Sequence, residues 1–211
     1  MNINPALMLL IVIVLIAIIG YLIVIYIKKR NESIRRINML ANIDDLTHLY
    51  KRKFFDTIFE TELERARRHE RSLSAAIIEV DNFDDLKEKY GEKFGDLVIQ
   101  DIGEIFTDNT RIHDICARYG DHSFASLMPE SDLPAALHLC KRLKGSIEST
   151  KFAMEDSNKV VRITVAIGVV FCNDYFEDEG VTHEDMLEKA NEALKNAKQN
   201  GGGKVEAYVK S

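Results

Sequence analysis

The sequence is short of cysteine and proline. Its three cysteines, Cys116, Cys140 and Cys172, stand far apart, with no Cys-x-x-Cys pair and no paired framework. That pattern points to buried, reduced thiols in a cytosolic domain. Three prolines, no low-complexity tract and no internal repeat leave little room for additional domains. Positive charge is also in deficit. The net charge is −6, which disfavours binding to a nucleic-acid backbone but does not exclude local basic pockets. What the chain has in quantity is apolar surface. Hydrophobic residues make up 46% and charged residues 29%, so a packed core is expected over disorder.

Charge is missing altogether from "ALMLLIVIVLIAIIGYLIVIYI", Ala6 to Ile27. As a helix these residues extend about 33 Å, enough to cross a hydrocarbon core of about 30 Å. A cleaved signal peptide would need a basic start, a shorter apolar run and a small-residue cleavage site, and none is present. Lys28, Lys29 and Arg30 follow at once, which places the remainder in the cytoplasm and the N-terminus outside. The span has no ionisable residue and no Gly-x-x-x-Gly, so it anchors and does not transport.

Beyond the anchor, Ile34, Ile37, Leu40 and Ala41 recur at helical spacing and read as a short stalk that pairs with a second copy, or as a plain linker. "RKFFDTIFETELERARRHE" is helical, with Phe55, Ile58, Phe59 and Leu63 on one face. "SLSAAIIEV" suits a buried strand, and "DDLKEKYGEKFGDLVIQDIGEIFTDN" reads as helix, turn, helix. "ICARYG" and "SFASLMP" form a hairpin about an Asp-His turn. A helix follows Pro129. "VVRITVAIGVVF" is one strong strand. A Thr-x-x-Asp cap opens the last helix, Gly201 to Gly203 close it, and "KVEAYV" is a final strand. The order αβααββαβαβ predicts an α/β (α+β) domain, a central mixed sheet flanked by helices. The organisation is then a transmembrane anchor with its basic flank over residues 1–30, a stalk or linker over 31–43, and one domain over 44–211.

Five motifs occur in a telling order. "DDLTHLYKRKFF" resembles the Asp-x-Leu-Thr-x-Leu-x-Asn-Arg-Arg opening of the GGDEF family, the diguanylate cyclases. "EVDNFDDLKEKYGEKFGD" is similar to that family's Asp-x-Asp-x-Phe-Lys…Asn-Asp…Gly-His…Gly-Asp segment. "RYGDHSF" stands where the family has Arg-Tyr-Gly-Gly-Asp-Glu-Phe. "ITVAIGVV" and "ANEALKNAKQNG" resemble its Ser-x-Gly strand and its closing helix. The resemblance covers about Asp44 to Val209. It implies a nucleotidyl-cyclase-like fold and an ancestral reaction, the condensation of two GTP molecules into cyclic di-GMP across a homodimer. Such chemistry needs metal ions on the triphosphate, a phosphate-cradling turn and polar groups that read guanine.

Position by position, the resemblance implies an altered active site. The signature turn is Gly120-Asp121-His122-Ser123, so Asp121 replaces its second glycine and adds a side chain where phosphate would approach. His122 stands at an acidic metal-binding position and Ser123 at a glutamate. The family's other metal-binding aspartate falls on Glu79, one methylene longer. Mg²⁺ prefers oxygen ligands, so no Mg²⁺ and no other cofactor is expected here. The guanine-contacting asparagine falls on Lys87, while Asp96, the second guanine contact, is kept. Lys198 keeps a phosphate-binding lysine, but its companion arginine falls on Gly202, and Lys51 replaces the asparagine of the opening motif. The succession Asp121-His122-Ser123 could suggest a hydrolytic triad. A triad is assembled from separated positions, whereas three successive turn residues point apart, so a polar turn is the better reading. These changes lead to the expectation that the chain is not an enzyme.

"RIHD", Arg111 to Asp114, ends five residues before the signature, where the family carries the Arg-x-x-Asp motif of its product-binding inhibitory site. A guanidinium can grip guanine O6 and N7 or a phosphate, and a carboxylate can accept from guanine N1–H and N2–H. The resemblance implies a further arginine from the following helix, and Arg142 lies at that place. The expectation is a cyclic di-GMP receptor of the bacterial inner membrane, homodimeric, acting on an unidentified membrane partner such as exopolysaccharide export or motility machinery. The alternatives are a nucleotide-independent scaffold and a working cyclase.

Overall fold

The computed structural model describes residues 42–154, 157–178 and 180–210. The expected anchor and stalk lie outside these residues. Among the described residues no helix is long and apolar enough to cross a membrane. Ile43–Ser211 forms a compact unit of its own.

Among the described residues, eight strands and five α-helices follow in the order β1 (Tyr50–Lys51), α1 (Arg52–His69), β2 (Leu73–Val80), α2 (Phe83–Tyr90), α3 (Glu92–Asn109), β3 (Ile115–Arg118), β4 (Ser123–Pro129), α4 (Leu133–Ser149), β5 (Phe152–Met154), β6 (Ser157–Val161), β7 (Val165–Phe171), α5 (His183–Gln199) and β8 (Val205–Ala207). Six strands build one mixed sheet in the order β1-β3-β4-β2-β7-β8. β2 lies at its centre, antiparallel to both β4 and β7. β1 on β3 and β8 on β7 are parallel.

The run of β2 is apolar on both faces because helices cover both. Ala76, Ile78 and Val80 pack with Phe83, Val98, Ile102, Phe106 and Leu143, the core under α2, α3 and α4. Leu73, Ala75 and Ile77 alternate onto the other face against Phe55, Phe59, Leu63, Ala190 and Leu194 of α1 and α5. The last of these helices starts as its sequence demands. The Thr182 hydroxyl accepts from Asp185 N, and the Asp185 carboxylate accepts from Thr182 N, a reciprocal capping box.

The expected single strand from Val160 to Phe171 is in fact two. β6 ends at Val161 in a small separate pairing with β5, and β7 restarts at Val165 in the main sheet. The β3–β4 connection is also longer than an Asp-His pair, with Tyr119 to His122 all outside the strands. Tyr119 and Gly120 both donate backbone N–H to the Ser123 carbonyl, at 2.8 and 3.1 Å, which closes this wider loop.

Candidate functional site

The sheet register divides the candidate residues between two opposite ends. Glu79 of β2 pairs with Ser123 of β4 at one end, and Leu73 pairs with Pro129 at the other. The signature turn therefore belongs to the first end and "RIHD", which precedes β3, to the second.

At the first end, Glu79 is the focus. His122 Nε2 lies 3.0 Å from its Oε1, and Lys198 Nζ from α5 is bonded to the same oxygen. The His122 ring stacks on Phe83, centroids 5.3 Å apart and planes at 20°. Lys87 Nζ lies over the Phe83 ring, 5.8 Å from its centroid, and pairs with Glu92 at 2.6 Å. That hydrogen bond from Lys87 to Glu92 raises the lysine above its ordinary value. Gly95 leaves room for the Lys87 stem, since a Cβ there would lie 2.8 Å from Lys87 Cγ, and Asp96 stands exposed one residue further on. Asp121 is exposed and does not take a left-handed φ, so the turn accepts it without backbone strain. A cleft of about 700 Å³ runs from Glu79 and Lys198 along α5 to Arg52 and Tyr119.

Two clasps hold this end together. Asp81 Oδ2 accepts from Thr164 Oγ1 at 2.7 Å and from Gly203 N at 2.8 Å, tying the end of β2 to the entry of β7 and the turn after α5. Gly202 has φ +69, and a Cβ there would approach Asp81 Oδ2 to 3.0 Å, so a side chain is poorly accommodated. On the other flank, Asp44 accepts from Thr47 N at 3.0 Å and Thr47 Oγ1 at 2.9 Å, and Arg118 reaches it at 3.4 Å. Burial pushes the Asp44 carboxyl up, but the Thr47 bonds and the Arg118 charge outweigh it and hold the group below its usual value. This explains the "DDLT" opening: the aspartate and threonine build a turn that braces the arginine of "RYG".

A Mg²⁺ site of the kind the resemblance implies does not fit this donor set as arranged. Glu79 Oε1 is already engaged by both His122 and Lys198. Among the described residues no three His, Cys, Asp or Glu side chains converge as metal ligands.

The second end joins the "RIHD" turn to a contact between α3 and α4. Arg111 N donates to Asp114 Oδ2 at 2.8 Å and Asp114 N donates to the Arg111 carbonyl at 3.0 Å, which fixes "RIHD" as a tight turn and leaves the Arg111 side chain exposed. Arg142 from α4 donates to the Asn109 carbonyl at 2.5 Å, at the end of α3. Ser146 Oγ bonds Asn109 Oδ1 at 3.1 Å beside it. Arg111, Asp114 and Arg142 meet with His138 around a small recess of about 30 Å³. Arg111 and Asp114 also form the rim of a neighbouring cavity of about 410 Å³, with Arg65, Arg71, His113 and Glu130. The sequence reading missed Arg65 and Arg71. Only the position of Arg65 on the exposed face of an otherwise apolar-faced helix hinted at it.

A nucleotidyl-cyclase-like α+β sheet, with one candidate site at each end of its central strands, is the class these observations define. The family model described as "Diguanylate cyclase, GGDEF domain" matches residues 41–204, and the chain belongs to that family. It is 30% identical to the diguanylate cyclase DosC of Escherichia coli over 81% of this chain and 36% of that protein. It is 28% identical to the response regulator PleD of Caulobacter vibrioides over 84% of this chain and 39% of that protein. The chain thus spans well under half the length of these curated relatives. The structure of SiaD from Pseudomonas aeruginosa, solved with its activator SiaC, matches with a TM-score of 0.74 and 26% identity over 90% of this chain and 73% of that one. The GGDEF domain of DgcB from Caulobacter crescentus, solved in complex with c-di-GMP, shares the fold with a TM-score of 0.75 and 23% identity, covering 81% of this chain and 94% of that one.

These relatives correct the expectation that the chain is not an enzyme. Its family, and relatives such as DosC that match most of its domain, are named for cyclase activity. That expectation gave too much weight to the altered signature. The turn takes Asp121 without backbone strain.

Proposed function

We propose that the chain is a cyclic di-GMP-responsive GGDEF protein that binds the dinucleotide at the Arg111–Asp114 end of its sheet. The observation that carries this reading is the convergence of Arg111, Asp114 and Arg142 at adjoining recesses in which Arg65 and Arg71 also take part. The ligand has two phosphates and two guanine edges. Guanidinium groups suit both, by forked bonds to phosphate or to guanine O6 and N7. A carboxylate suits the N1–H and N2–H edge, and Asp114 presents one at the rim. The complex of DgcB with c-di-GMP supports the ligand class. In this reading the Ala6–Ile27 run anchors the chain in the membrane, and occupancy is passed to a membrane partner.

Calorimetric titration of the full chain in detergent micelles tests it. Micromolar or tighter cyclic di-GMP binding is expected, and Arg111→Ala and Asp114→Ala should each abolish it. A folded protein that releases no heat of binding overturns the reading.

The names of the relatives favour a second activity, formation of cyclic di-GMP from GTP. At the opposite, signature-turn end the chain's own residues give it Lys198 for phosphate and Asp96 for a guanine edge. Incubation with GTP and Mg²⁺ or Mn²⁺, with product read by mass, decides whether this domain retains the reaction of its family.

A further inference from the structure

The cavity beside Arg111 and Asp114 is crossed by an ion pair that the proposed binding contacts leave unexplained. Arg71 belongs to the turn between α1 and β2, and its Nη1 meets Glu130 Oε1 at 2.5 Å. Glu130 belongs to the turn between β4 and α4. The register that pairs Leu73 with Pro129 sets these two turns side by side. Glu130 has φ 54, a left-handed conformation that residues other than glycine seldom adopt. Glu130 and Arg71 both line the cavity. Both partners remain open to solvent, with side chains 52% and 66% exposed.

The three guanidinium groups around the cavity differ in their engagement. Arg65 pairs with Glu62 on its own helix at 3.3 Å, one turn apart. Arg71 pairs across turns with Glu130. Among the described residues, Arg111 has no carboxylate against its guanidinium. A carboxylate and a phosphodiester offer a guanidinium the same pair of acceptor oxygens. An exposed carboxylate pair is also weak, so a phosphate can exchange for it at small cost.

We propose that Arg71 is an anion-binding residue of this cavity and that Glu130 is its built-in competitor, which a phosphate of the bound dinucleotide displaces. The proposal rests on the reading of this cavity as the cyclic di-GMP site, and it adds what sets the affinity there. In the free protein Glu130 occupies Arg71 and keeps its side chain extended across the cavity. When the ligand enters, one phosphate takes Arg71 and the carboxylate turns out to solvent.

The test is a double-mutant cycle on the full chain in detergent micelles, with cyclic di-GMP titrated calorimetrically at one fixed low salt concentration. Thermal melts should first establish that each variant is folded. Glu130→Gln should tighten binding about threefold, within the range of an exposed ion pair. Arg71→Ala should weaken it about tenfold. In the Arg71→Ala background, Glu130→Gln should change affinity by less than about twofold, because the competitor then has nothing to hold. Equal tightening by Glu130→Gln in both backgrounds would reveal only a general field effect and overturn the proposal. So would unchanged binding by Arg71→Ala. Arg111→Ala separates the two levels. If it leaves affinity intact, the underlying reading of the cavity fails. If it abolishes binding while Arg71 and Glu130 variants bind like the wild type, only the competitor fails.

Discussion

Replacing Gly168 with alanine puts a methyl group where α5 already lies. Gly168 is in the middle of β7, opposite Ile77 of the central strand. A Cβ at this position would fall 2.0 Å from the Ala190 carbonyl oxygen and 2.3 Å from Leu194 N. Both atoms are helix backbone, so no rotamer change relieves the clash. Since real contacts stop near 3.0 Å, α5 must withdraw by about 1 Å along its middle turns. Overpacking usually costs about 1–3 kcal/mol, and the absence of a flexible neighbour puts this case near the top of that range. Alanine recovers about 0.5–1 kcal/mol because it loses less chain entropy than glycine in a strand. The net loss is therefore about 2 kcal/mol. Urea unfolding of the Ile43–Ser211 unit, followed by circular dichroism, should show a midpoint lower by about 1 M with an unchanged slope. The same displacement would draw Lys198, two turns further along α5, away from Glu79. A midpoint equal to that of the parent protein, or above it, would refute the claim that β7 and α5 meet backbone to backbone.

Acid stability gives a second check. Asp44 titrates below its ordinary value in the fold, so its contribution is complete above about pH 4 and is lost as pH falls through the folded value. Asp44→Asn should cost about 1 kcal/mol at neutral pH and flatten the stability curve below about pH 4, as read from chemical unfolding at a series of pH values. The thiols give a third. Burial pushes Cys116 up to about 11 and Cys140 up to about 12, and it raises Cys172 as well. An aromatic disulfide reagent at pH 8 should find no reactive thiol in the native protein and all three after denaturation. Rapid labelling of the native chain would contradict the burial.

The sequence was most readable where one local device decides the structure. Thr182 and Asp185 announce the start of α5 within four residues, and the short apolar run of β2 is legible because helices cover both its faces. The split between β6 and β7 was hidden because Val160 to Phe171 is apolar almost throughout. The departure of the chain after Val161 depends on a partner strand, β5, which the local pattern does not reveal. β1 was missed for a similar reason. Its two residues become a strand only by lying parallel to β3 across a long stretch of chain. The sites follow the same rule. Arg111 and Asp114 form one turn and could be read as a unit. Arg65, Arg71 and Glu130 come from a helix and two separate turns, and they meet only through the register of β2 with β4. The bond of His122 to Glu79 is likewise a cross-strand product of that register.

The Asp81 clasp bears on how any mutational survey of this domain is interpreted. Asp81 stands two residues from Glu79, and a survey of acidic side chains would include both. Its carboxylate joins three segments remote in the chain, so alanine there unfastens the turn beyond Lys198 as well as the entry to β7. Activity lost in that variant would report a sprung scaffold and would be mistaken for lost chemistry. Asparagine at 81 keeps one acceptor oxygen for Thr164 or for the Gly203 amide while removing the charge. A pair of variants at this one position, alanine and asparagine, therefore calibrates how much of any defect at Glu79 belongs to the site and how much to its mounting.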